Sequence, residues 1–214
     1  MNRTKAGSVF HSTLDWITRL AYVNVLWVLF SLAGLIVAGL FPATAAMFAV
    51  VRKWLIEDEE IAVLPTFWQS VKSEFLRSNA IGYIALVPAY VFYVDFQFFS
   101  SIEGILSFVL ITISGSLFLL YVITVLFLFP ALVHYRMRIL EYFKQAFFIG
   151  AGSPLGVILS AAACVITALL TAWFPGLLFF FAGSVPAYVI MWSTLRTTRI
   201  MEEKHMERGG ETEP

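Results

Sequence analysis

Five long apolar runs, at residues 20–51, 80–99, 104–133, 155–173 and 176–195, set the limits on what this chain can fold into. A helix needs about 20 apolar residues, at about 1.5 Å each, to cross the hydrocarbon core of a bilayer. A chain of 214 residues has too little interior to hide five such runs from water. Composition agrees, because 13% of the residues are charged where a soluble domain carries about 25%. The expected fold is all-α: a polytopic transmembrane helical bundle forming one domain over residues 1–200. A cleaved leader does not fit. Arg3, Lys5 and the small residues Ala43-Thr44-Ala45 mimic one, but the first apolar run far exceeds the roughly 7–15 residues of a signal core.

Charge placement orders the spans. Lys and Arg favour the cytoplasmic side of short loops. The stretches 52–77, 136–144 and 196–208 contain four, three and four of them, while the turns at 100–103 and 174–175 contain none. With Arg3, Lys5 and Arg19 at the N-terminal side, both termini are expected on the cytoplasmic side, the chain crossing the membrane several times. The first run must then enter and return. Gly39-Leu40-Phe41-Pro42 supplies the reversal, because proline is favoured at the start of a helix. This gives a span over 20–38, a short return helix over 43–56 and about six membrane helices in all. Five spans with the N-terminus outside is the competing arrangement, and it strands three basic residues on the wrong side. Whether 43–56 crosses fully stays open.

Amphipathic stretches precede three of the runs. In 65–79, Phe67, Trp68, Val71 and Phe75 share one helical face, with Gln69, Lys72 and Arg77 opposite. Residues 139–148 repeat the pattern and 9–19 do so weakly. These read as cytoplasmic interfacial helices, and the chain as three copies of such a helix followed by a membrane hairpin. Residues 201–214 are charged and lack an apolar face, so a disordered tail is expected there.

Chemistry-bearing residues are sparse. Asp95 is the one acid inside an apolar run, close to its outer end, and an intramembrane carboxylate points by default to proton or cation handling. Asn24, Ser31 and Thr44 are polar groups in the first hairpin, suited to hydrogen bonds between helices. Ser160, Cys164, Ala168 and Ala172 recur every four residues as a small-residue face that lets another helix approach. His134 sits at a cytoplasmic span end, and His11 and His205 share no ligand spacing with it, so neither a metal nor any other cofactor is expected. No nucleophile–base pair is visible, since in Ser114-Gly115-Ser116 even Ser116 would have to bridge about 27 Å of one helix to reach His134. The lone Cys164 forms no internal disulfide. Fourteen basic residues balance fourteen acidic ones, leaving no field for nucleic acid.

Asn24, Trp27 and Ser31, then Phe41-Pro42-Ala43-Thr44-Ala45-Ala46, then Val51-Arg52-Lys53-Trp54, with Phe67-Trp68, Lys72 and Phe75 following, resemble the YesL-like family of bacterial membrane proteins of unknown function. The distinctive match covers roughly 20–80. That family often has glycine directly before the proline of the turn, where this chain has Phe41. The resemblance implies an accessory role in bacterial carbohydrate uptake or its regulation, since such proteins are often encoded beside sugar transporters and sensors. The expected function is therefore a non-enzymatic membrane accessory protein. Its partners would be membrane lipid and a sugar-transporter permease or sensor kinase, met through Phe67, Trp68, Val71 and Phe75 and through Ser160, Cys164, Ala168 and Ala172. The alternative is a small independent transporter or channel, with a path near Asp95 and Asn24 and with Pro88, Pro130 and Pro186 as helix breaks. The oligomeric state is not legible.

Overall fold

The computed structural model describes residues 3–57 and 61–210, with side chains over 14–57 and 61–203. Among the described residues eight helices follow one another: α1 (Arg3–Ala33), α2 (Leu40–Glu57), α3 (Val63–Ser100), α4 (Ile105–His134), α5 (Ile139–Gly152), α6 (Pro154–Trp173), α7 (Leu177–Phe181) and α8 (Ser184–Gly210). The fold is an all-α bundle, as the apolar runs require. Five stretches are long and apolar enough to cross a membrane: Leu14–Ala33, Val63–Ser100, Ile105–His134, Pro154–Trp173 and Leu177–Glu203.

The first run does fold back on itself, but earlier than the proline suggests. Helix α1 stops at Ala33 and the chain reverses over 34–39, so Pro42 lies inside the first turn of α2. There its missing N–H is harmless, because the first turn has no intrahelical acceptor to offer. Gly34 and Gly39 make the reversal possible. A Cβ on Gly34 would strike the backbone of Gly39, and one on Gly39 would meet Phe30 O at 2.6 Å. Between them Leu35 and Ile36 adopt left-handed backbone, with φ of 53° and 65°. Each costs about 1–2 kcal/mol for an L-residue, and a β-branched residue there is a true outlier.

Helix α2 is the hub. It packs against α1, α3, α4 and α8, and Pro42, Ala43, Ala45, Ala46, Met47, Phe48, Val50, Val51 and Trp54 are all buried. A helix apolar all round is a helix buried all round, and its alanines let four neighbours come close.

The stretch 65–79 is not a separate interfacial helix. Helix α3 runs unbroken for 38 residues, about 57 Å. Ser78-Asn79-Ala80 contains neither Pro nor Gly, so nothing in the backbone chemistry ends the helix there. Residues 139–148 do form their own helix, extended to Gly152. Its start is fixed by the Glu141 carboxylate, which accepts from the N–H of Arg138 at 3.0 Å. The last apolar run is also broken. Helix α7 is five residues long, and α8 begins at Ser184 after Gly183. Pro186 again sits in a first turn. Helix α8 continues through Gly210. Residues 211–214 lie outside the described residues, as do 58–60.

The α1–α2 reversal docks partway along α3. Asn79 Nδ2 donates to Ala38 O at 3.1 Å and the Tyr83 hydroxyl donates to Val37 O at 2.6 Å. Gly82 meets the ring of Phe41, which also lies 6.1 Å from the ring of Phe129. Helix α3 then continues 17 residues past Tyr83 to Ser100, about 26 Å further. Over that length its ring and hydrogen-bond contacts with other helices, among the described residues, all go to α4. Phe92 meets Phe118 and Tyr121, Phe96 meets Phe118, and the Tyr121 hydroxyl donates to Ala85 O at 2.7 Å. Ser107 Oγ closes the tip by donating to Phe99 O at 2.6 Å. The result is a two-helix apolar arm standing on the bundle.

Candidate functional site

Three places gather polar or unpartnered groups: the break before α8, the arm, and the basic end of the bundle. At the break, Asn24 of α1 is fully buried. Its Oδ1 accepts from the N–H groups of Gly183 and Ser184 at 2.8 and 3.0 Å, and its Nδ2 donates to Leu178 O at 2.9 Å. One amide thus satisfies the backbone groups that the α7–α8 interruption frees. Thr44 is also engaged: Trp27 Nε1 donates to its hydroxyl at 3.0 Å, and that hydroxyl donates to Leu40 O at 2.7 Å.

Asp95 is half-buried on the arm, 12 residues beyond Tyr83, about 18 Å along the helix. Asn24 lies on the other side of the α1–α2 reversal. The structure therefore does not bring Asp95 and Asn24 together.

The two faces expected to meet partners are split. Phe67 is buried and its ring lies 5.2 Å from that of Phe30, inside the chain's own core. Val71 is half-buried, whereas Trp68 and Phe75 are exposed, with Lys72 Nζ 5.1 Å from the Trp68 ring. On α6, Ser160 is buried, Cys164 is half-buried, and Ala168 and Ala172 are exposed. A four-residue step overshoots a full turn by about 40°, so Ala172 sits about 120° round from Ser160. The face that packs on α8 instead follows Gly156, Ser160 and Thr167, the residues of α6 that are buried.

At the basic end, Arg52 Nε donates to His134 Nδ1 at 3.2 Å, joining residues 82 apart. The accepting nitrogen needs a lone pair, so His134 is the neutral Nε2–H tautomer in this contact. His134 is half-buried rather than a free surface histidine. It borders two cavities, one with Ser70, Ser73, Glu74 and Arg136, the other with Trp192, Arg196, Arg199 and Glu202. Beside it, burial and then the charge of Glu202 push the Tyr135 phenol upward, against a hydrogen bond from Gln145. Among the described residues, no three His, Cys, Asp or Glu side chains lie close enough to hold a metal. His11 and His205 have side chains outside the described residues. The Arg52–His134 contact left no local signal in the sequence, since its partners sit on different helices.

Fold and polar placement define an all-α protein with five helices, among the described residues, fit to cross a membrane, in which Asn24 and Thr44 tie helix to helix. The chain belongs to the family described as "Protein of unknown function, DUF624", whose sequence profile matches residues 20–96. It is 34% identical to "Uncharacterized protein YesL" of Bacillus subtilis (strain 168), over 88% of this chain and 89% of that one. It is 31% identical to "Uncharacterized protein YesV" of the same strain, over 97% and 100% of the two chains, and 36% identical to "Uncharacterized protein YteU", over 83% and 79%. The resemblance carried by Asn24, Phe41-Pro42 and Trp54 is thereby shown, and it extends well beyond residue 80. No solved structure matches the chain.

Proposed function

We propose that the protein is a non-enzymatic accessory subunit of the bacterial cytoplasmic membrane, acting by helix–helix contact with another membrane protein. The observation that carries this reading is the arm. Val87, Tyr90, Phe98, Ile105, Phe108 and Leu119 are all exposed, on two helices that beyond Tyr83 pack on each other. Such a surface belongs in lipid or against another protein. The arm's apolar helices span about the thickness of a bilayer core, and its tip carries Ser100, Ser101 and Glu103. Basic ends of α2, α4 and α8 meet around Arg52, His134 and Arg196 at the opposite pole, which supports placing both termini on the cytoplasmic side.

Independent transport is less well supported. Asn24, one of the two groups expected to line a path, already spends its polar atoms inside the bundle, as does Thr44 of the same hairpin. The association of YesL-like proteins with carbohydrate uptake makes a sugar-transporter permease or a sensor kinase the first partner to test. Cross-linking in native cells, followed by capture through a C-terminal tag in mild detergent, should recover one of these above a membrane-protein control. Recovery of the protein alone, together with solute or proton flux in proteoliposomes that Asp95→Asn abolishes, would overturn the reading in favour of transport.

A further inference from the structure

A cavity of about 320 Å³ opens at the basic end between α2, α3 and the C-terminal end of α4, lined by Arg52, Ser70, Ser73, Glu74, His134 and Arg136. Its charge is uneven. Glu74 is the one acid in the lining, and it already accepts from Arg77 Nη1 at 3.3 Å. Arg52 is half-buried and Arg136 stands exposed, and among the described residues neither forms an ion pair. Arg52 Nε is spent on His134, which fixes the guanidinium plane, and among the described residues no carboxylate pairs with its Nη groups. The C-terminal end of α4 contributes about half a negative charge, less than two guanidiniums bring. A half-buried cation without a counter-ion is costly, and the planar fork of arginine matches phosphate oxygens two at a time. Leu132, Val133 and Ala49 add apolar surface, and Tyr135 completes the lining.

We propose that this cavity binds a phosphate-bearing anion between Arg52 and Arg136, with Ser70 in the same lining and Ser73 Oγ already donating to Ser70 O at 3.3 Å. That chemistry has two sources: the phosphodiester of an anionic lipid, which basic pockets between membrane helices are suited to hold, or a soluble phosphate.

The test uses the full chain, stripped of lipid in mild detergent and titrated with phosphatidylglycerol or phosphatidylcholine, with occupancy read by native mass spectrometry. Inorganic phosphate is the competitor. Phosphatidylglycerol should bind more tightly than phosphatidylcholine. Arg52→Gln and Arg136→Gln should each weaken it about fivefold, the effect of about 1 kcal/mol per basic residue at a membrane surface. Lys144→Gln, outside the cavity, should leave it unchanged. Because Arg136 is exposed, its variant keeps the test valid if Arg52→Gln fails to fold. Phosphatidylglycerol that resists inorganic phosphate identifies the lipid as ligand. Displacement by inorganic phosphate, with thermal stabilisation by phosphate alone that Arg136→Gln removes, identifies a soluble phosphate. Equal binding of the two lipids with no effect of phosphate overturns the proposal, as does equal weakening by Lys144→Gln and Arg136→Gln.

Discussion

The side-chain oxygen of Asn24 accepts from the backbone N–H of Gly183 at 2.8 Å, across 159 residues of sequence. The same oxygen accepts from the Ser184 N–H and the amide nitrogen donates to Leu178 O, so one residue of α1 closes the gap between α7 and α8. A broken helix inside an apolar bundle is tolerated only where its freed backbone groups find partners. Here they find them on the first helix, which ties the last third of the chain to the first.

Asn24→Ala removes all three bonds and strands the buried Ser184 N–H, the part-buried Gly183 N–H and the Leu178 carbonyl. Hydrogen bonds within membrane bundles average about 0.6 kcal/mol, and stranded buried groups cost about 1–3 kcal/mol. A loss of about 1–3 kcal/mol is expected, read as a lower thermal midpoint by circular dichroism in detergent. Asn24→Gln should not recover it, since the longer side chain cannot reach all three backbone groups from the same Cα. An unchanged midpoint for Asn24→Ala would show that the break does not depend on this amide.

The strained turn makes the opposite prediction. Ile36 is exposed with φ of 65°, so Ile36→Gly removes a left-handed penalty of about 1–2 kcal/mol and little packing. Leu32, exposed inside α1, is the control, because glycine there should destabilise by about 1 kcal/mol. Ile36→Gly should therefore leave the thermal midpoint unchanged or raised, while Leu32→Gly lowers it. A fall for both would mean that the Ile36 side chain contributes more than its backbone costs.

Docking of the hairpin on α3 depends on a missing side chain. A Cβ on Gly82 would lie 2.5 Å from the Phe41 ring. Gly82→Ala should destabilise by about 1–3 kcal/mol, the usual range for overpacking. Adding Phe41→Leu should return part of that loss, because the ring is the group the methyl meets. Purely additive losses in the double mutant would argue that the helices separate instead of sharing one contact.

Much of this architecture was legible from the periods and charges of the sequence, and the rest was not, for identifiable reasons. The apolar runs and the basic clusters announced a helical bundle with an early hairpin, because burial and bilayer length act on every residue of a run. Proline misplaced the reversal, since Pro42 is tolerated anywhere in the first turn of α2 and Gly34 and Gly39 decide where the chain folds. The amphipathic face of Phe67, Val71 and Phe75 suggested an interfacial helix, yet nothing after Ser78 stops helix propagation. The small-residue ladder of α6 drifts around its axis, so only Ser160 and Cys164 turn inward. Gly183 three residues before Pro186 was a readable signal for the α8 break. The partners Asn24–Gly183 and Arg52–His134 were not readable, because a single sequence holds no record of which helices become neighbours.

The arm yields a prediction that separates its two faces. Phe92 points into the α3–α4 seam, with its ring 5.5 Å from that of Phe118, whereas Tyr90 is exposed on the same helix. Phe92→Ala should loosen the arm by about 3–5 kcal/mol if the seam packs like a core, with incomplete burial reducing that figure. Tyr90→Ala should leave stability unchanged within about 0.5 kcal/mol. Capture of a partner should respond in reverse order of directness. A photo-reactive side chain at Tyr90 should cross-link a partner in cells, and one at Phe92 should cross-link only within the chain. Tyr90→Ala should weaken co-purification while the protein stays folded. If photo-reactive groups at Tyr90, Phe98 and Phe108 all label lipid alone, the arm is a membrane anchor, and the contact with another protein must lie elsewhere on the bundle.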